Sequence, residues 1–187
     1  MRAATETARD GDPREASAAA VPRPTSAEGV VAGLREALGE DWPPRIYRER
    51  ILSTRTRAHS VPTAPRNVGV EVLHTLLGIE LKVGRRRVSC PDLATARYLS
   101  VFARAGVSQV AVPYDITKIS RLADELESAW QRLLLLADHQ TRGRVETFRA
   151  RVRTAALKEV KREIEEAGAG TAVPVFNQNT RQRPQRI

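Results

Sequence analysis

The sequence predicts an α+β domain, and three features carry that reading. The segments "IELKV" and "RRVSC" each alternate apolar with polar or charged residues and are separated by Gly84 and Arg85. Period two marks strands with one buried face, and a two-residue gap marks a hairpin. Further on, "VSQVAVPY" (107–114) is a short apolar run of strand character. Finally, two long segments, 116–140 and 144–168, place apolar residues three and four apart on either side of a turn at 141–143, the pattern of an αα-hairpin. The expected architecture is a small sheet, from the hairpin 79–90 and the strand 107–114, packed on a helix over 92–106 and the C-terminal αα-hairpin.

Composition divides the chain into three parts. Residues 1–27 hold almost no large apolar side chain and are rich in Ala, Pro, Ser and Thr, so they are expected to be disordered. Residues 28–168 form the single domain, and 169–187 a basic C-terminal tail. Within that tail, Val173, Val175 and Phe176 are expected to dock on the domain or a partner, while 177–187 stay mobile.

Taken in order, "SAEGVVAGLREALGEDW" (26–42) reads as an amphipathic helix with Ser26 as N-cap and Val30, Val31, Leu34 and Leu38 as its apolar stripe. Pro43 and Pro44 stop it. Residues 45–66 read as a basic polar linker that begins with a turn or two of helix. "NVGVEVLHTLLG" (67–78) fits a short helix closed by Gly78 with Leu76 and Leu77 towards the core, a strand being the alternative for its first half. In the hairpin, Ile79, Leu81 and Val83 share a face with Val88 and Cys90, which leaves Glu80 and Lys82 on the other. Asp92 caps the helix 92–106 and Gly106 ends it. The run from 86 to 114 therefore reads as strand, helix, strand, long enough for a parallel crossover. Asp115 caps the next helix.

The net charge is +9. Residues 28–113 carry thirteen basic and eight acidic side chains, and 167–187 three arginines and no acid. Such a balance favours polyanion partners. The arginines expected to contact nucleic acid are Arg55, Arg57 and Arg66 in the linker, Arg85, Arg86 and Arg87 at the hairpin tip, Arg149, Arg151 and Arg153 on the last helix, and Arg181, Arg183 and Arg186 in the tail. Arginines at the start of the last helix, with Glu163, Glu165 and Glu166 at its end, oppose the helix dipole. A segment that breaks this rule has another use for its charges.

Aromatic residues make up 4% of the chain, so base stacking is not expected to dominate. The expected function is a small non-enzymatic accessory protein that binds nucleic acid, RNA ahead of DNA, mainly through phosphates. A protein-interaction module built on the helical hairpin and tail is the second reading. A third is a metal-dependent nuclease, from Glu80-x-Lys82 and Pro91-Asp92. Its usual order is reversed here, and Asp92 already serves as a helix cap.

No cofactor and no metal site are expected. One cysteine precludes an intramolecular disulfide, and His59, His74 and His139 lack ligand spacing. No apolar run approaches the about 20 residues of a membrane span, and residues 1–27 lack the apolar core of a secretory signal. A cytoplasmic protein is the expectation.

Overall fold

The computed structural model describes residues 26–63 and 69–170. Residues 1–25 of the expected N-terminal tail, residues 171–187 of the C-terminal tail with its docking segment, and Arg66 lie outside them, whereas Ser26 and Ala27, expected in the N-terminal tail, cap and begin the first helix.

Helix α1 spans Ala27–Leu38, and the Ser26 hydroxyl accepts from the Gly29 amide at 3.0 Å. Its expected stripe is buried. Beyond Leu38 the structure departs from the linker reading. Trp42 is buried, and Pro43 and Pro44 open helix α2 (Pro43–Ile46), which runs on as a π turn over Tyr47–Ile51. Proline has no amide to donate, so it fits the first helical turn, where none is needed. The two prolines end one helix and start the next. Tyr47 and Ile51 are fully buried, so this stretch belongs to the core and is no solvated connector.

The strands β1 (Thr56–Ser60), β2 (Val70–Thr75), β3 (Gly78–Val83), β4 (Arg86–Cys90) and β5 (Gln109–Pro113) form two antiparallel sheets, β1–β5 and β2–β3–β4. The hairpin register is the expected one, with Leu81 opposite Val88 and Val83 opposite Arg86 across the Gly84–Arg85 turn. Gly84 supplies the positive φ (61°) that the tight turn needs.

Two expectations are corrected here. Residues 70–75 are strand β2, with Val70, Val72 and His74 opposite Val83, Leu81 and Ile79. Val72, Leu73, Leu76 and Leu77 follow helical spacing while Val68, Val70 and Val72 alternate, and the β-branched residues favour the pleated reading. Leu76 and Leu77 then fall in the β2–β3 turn, fully exposed. Likewise, β5 does not join the hairpin. It pairs with β1, from Thr56 opposite Pro113 to Ser60 opposite Gln109, so no parallel crossover forms.

Helix α3 (Leu93–Ala105) is capped by Asp92, which accepts from the Thr95 amide at 2.7 Å, and ends at Gly106 in the left-handed region. Helices α4 (Ile116–Gln140) and α5 (Glu146–Ala167) form the expected αα-hairpin. The buried face of α5 comprises Val152, Ala156, Val160, Glu163 and Ile164, and it packs against α1 as well as α4. Val145 precedes the helix and is exposed.

Strand β5 explains how these layers join. Val110, Ala111 and Val112 are buried, so their peptide groups need partners on both edges. β1 serves one edge. On the other, the Ala111 amide donates to Tyr47 Oη at 2.8 Å, and Tyr98 Oη donates to the Ala111 carbonyl at 2.6 Å. The Tyr47 hydroxyl in turn donates to the Gly168 carbonyl at 2.7 Å, tying the end of α5 to the sheet. Burial raises both phenols above their ordinary pKa of 10.0, Tyr98 strongly. A raised pKa means the folded state keeps its protons to higher pH than the unfolded chain does. This stability is complete below about pH 10 and is lost as pH rises further. Tyrosinate absorbance should therefore rise in step with unfolding for these two phenols. Tyr98→Phe should lower the midpoint of thermal unfolding at pH 7 and leave a shallower decline above pH 10.

Candidate phosphate-contact surface and the Glu163 centre

The arginines expected to contact nucleic acid fall on separate elements and differ in what already neutralises them. Arg55, just before β1, lies over the Tyr114 ring at 5.1 Å. Arg57 is exposed on β1. Burial and the Arg57 guanidinium lower the pKa of nearby His59, which disfavours a charge there. At the hairpin tip, Arg85 and Arg86 are exposed with no carboxylate partner among the described residues, whereas Arg87 reaches Glu80 at 3.5 Å.

On α5, Arg153 donates to Asp138 at 2.7 Å and Arg149 to Glu146 at 2.9 Å. Both are held by the α4–α5 turn, and Arg151 between them is exposed with no ion pair among the described residues. The cations at the start of α5 thus answer carboxylates around their own turn. Arg181, Arg183 and Arg186 lie outside the described residues, as Arg66 does.

The linker arginines that precede Arg55 are also engaged. Arg45 donates to Glu49 at 2.8 Å and Arg50 to Glu125 at 3.0 Å. Arg48 goes to Glu163, the residue that the sequence reading placed only as a helix-end acid. The Glu163 side chain is 5% exposed. Its Oε1 accepts from Trp42 Nε1 at 3.1 Å, and its Oε2 from Arg35 Nη2 at 3.3 Å and Arg48 Nη2 at 3.1 Å. One carboxylate of α5 thereby collects donors from α1, from the residue preceding α2 and from the π turn. A signal was present: Glu163 follows Val152, Ala156 and Val160 at helical spacing, so it stands on the apolar face of its helix. A carboxylate there needs paired donors.

Glu80 and Lys82 point away from the apolar face, as expected. Glu80 takes Arg87, and Lys82 bonds Glu71 at 3.0 Å across the β2–β3 ladder. Asp92 spends one oxygen on the Thr95 amide and the other on its hydroxyl at 3.1 Å. Among the described residues no three His, Cys, Asp or Glu side chains gather as a metal site. Cys90 is buried, and burial raises its thiol pKa. No helix among the described residues is long and apolar enough to cross a membrane. Comparison of the chain with protein-family models, curated proteins and solved structures found no match.

The two carboxylates should answer mutation differently. Glu163→Gln keeps an acceptor for Trp42 but removes the charge facing two half-exposed guanidiniums, and should cost about 1–2 kcal/mol in urea unfolding. Glu80→Ala removes only a surface pair and should cost less than about 1 kcal/mol.

Proposed function

We propose that this protein is a non-enzymatic accessory protein that binds nucleic acid through phosphate oxygens, with Arg85 and Arg86 as the leading contacts. The observation that carries this reading is the β3–β4 tip. Two adjacent guanidiniums stand exposed where the Gly84–Arg85 turn enters β4, with no carboxylate partner among the described residues. Arginines in that setting can contact phosphates without giving up an internal ion pair, and they read no bases. Arg57 and Arg151 are exposed in the same way, and the arginines of residues 171–187 add to the basic excess. Trp42, Tyr47, Tyr98 and Phe102 are all buried, which argues against base stacking as the binding mode.

A protein-interaction role is the second reading. The apolar face of α5 packs against α1. Leu76 and Leu77, fully exposed at the β2–β3 turn, are the apolar feature that favours a protein partner.

Fluorescence anisotropy on labelled single-stranded RNA and duplex DNA, across a salt series, separates the two. Phosphate-driven binding weakens steeply with salt. Arg85→Ser/Arg86→Ser should weaken binding and flatten the salt slope by about 1.4 units on a single strand. Leu76→Ser/Leu77→Ser should leave nucleic-acid affinity unchanged. Absence of binding at low salt, or binding indifferent to the arginine substitutions, would overturn the proposal.

A further inference from the structure

Most ion pairs of this molecule balance one cation against one carboxylate or more. Arg162 bonds both Glu159 and Glu166, each at 2.6 Å. Two carboxylates among the described residues depart from this: Glu125 takes Arg50 and Arg121, one on each oxygen, and the more deeply buried Glu163 takes Arg35 and Arg48. At Glu163 both guanidiniums meet one oxygen, so these three groups hold one more cation than carboxylate. Each arginine spends a single nitrogen on Glu163 and remains about half exposed, at 50% for Arg35 and 48% for Arg48. The buried carboxylate therefore fixes two forks in place without using them up.

Both forks open on concave surface. One cleft of about 390 Å³ is lined by Arg35 and Arg48 together with Trp42, Arg45, Glu36 and Gly39. A second, of about 240 Å³, shares the same two arginines and is closed by Arg162 and Glu166. The first is of a size that small ligands occupy.

We propose that Arg35 and Arg48 form a binding site for a terminal phosphate group, a phosphomonoester or a pyrophosphate. Guanidinium forks match phosphate oxygens bidentately. Here the two forks come from different elements, α1 and the π turn, and converge on one point. That arrangement suits a tetrahedral group with three free oxygens better than a planar carboxylate with two. Glu36 and Glu166 at the edges repel an extended polyanion, which restricts the site to a compact group or a chain end. Glu163 is a positioning residue, holding the forks where the phosphate meets them. The site does not depend on the hairpin tip, which lies in a separate sheet.

Trp42 supplies a local probe, because its indole N–H donates to Glu163. In a Trp130→Phe background it is the one indole left in the chain. Inorganic pyrophosphate, added at constant ionic strength, should shift the Trp42 indole ¹H–¹⁵N resonance saturably. Arg48→Gln and Arg48→Lys should each weaken that response about tenfold or more. The lysine variant retains the charge and tests the fork itself, and circular dichroism checks that each variant is folded. Arg85→Ser/Arg86→Ser should leave the response intact. A 5′-phosphorylated oligonucleotide, compared with its 5′-hydroxyl form, separates a nucleic-acid end from a free small molecule as the source of the phosphate. No saturable shift with either probe, or an equal shift in folded Arg48→Gln, would overturn the proposal.

Discussion

The burial of the Glu163 carboxylate is the constraint on which the arrangement of the helices depends. A charge withdrawn from water is costly unless donors surround it. Here the donors come from three places that are distant in sequence from α5: Arg35 in α1, Trp42 ahead of α2, and Arg48 in the π turn. Apolar contact between α1 and α5 is non-directional and tolerates sliding. The carboxylate does not, because a shift of either helix would strand a charge or an indole N–H. Specificity of packing, more than net stability, is what such a centre contributes. It also presents two guanidiniums to solvent in a fixed geometry, which joins the structural role to the proposed phosphate site.

A second constraint acts at β5. A buried strand in a two-stranded sheet has an edge without a ladder partner, and Tyr47 and Tyr98 supply the missing donor and acceptor at Ala111. The two constraints meet in one stretch of chain. Tyr47 opens the π turn that holds Arg48, and its hydroxyl reaches Gly168 just beyond α5. Close approach continues at Gly170, where a Cβ would lie 2.4 Å from Thr56 Oγ1 at a φ of +77°. Only glycine fits there without displacing the start of β1.

Much of this was legible in the sequence, and the rest has identifiable reasons for being hidden. The hairpin register, the three N-caps at Ser26, Asp92 and Asp115, and the αα-hairpin follow from local rules acting over a few residues. Strand β1 was hidden because "TRAHS" has little apolar content, and its pairing with β5 joins residues some fifty positions apart. Residues 67–78 are ambiguous because Val68, Val70 and Val72 alternate while Val72, Leu73, Leu76 and Leu77 keep helical spacing, and only the partner strand decides. Pro43 and Pro44 signal the end of α1 in the sequence, whereas the helix they begin depends on the burial of Trp42, Tyr47 and Ile51. For the candidate surface, charge counting identified the arginines but not their partners. Arg87, Arg149 and Arg153 were already committed to acids, while Arg85, Arg86 and Arg151 were not. Glu163 carried a signal in its helical spacing, but the donors that explain it lie more than a hundred residues away.

The account stands or falls on the coupling between the N-terminal helical segment and α5 through this carboxylate. A double-mutant cycle between Trp42→Phe and Glu163→Met, followed by urea unfolding, measures that coupling directly. The indole–carboxylate bond predicts a coupling energy of about 1 kcal/mol or more, since each single change already removes what the other would remove. Effects that add to within about 0.3 kcal/mol would show that the two residues do not interact in solution, and would contradict the account.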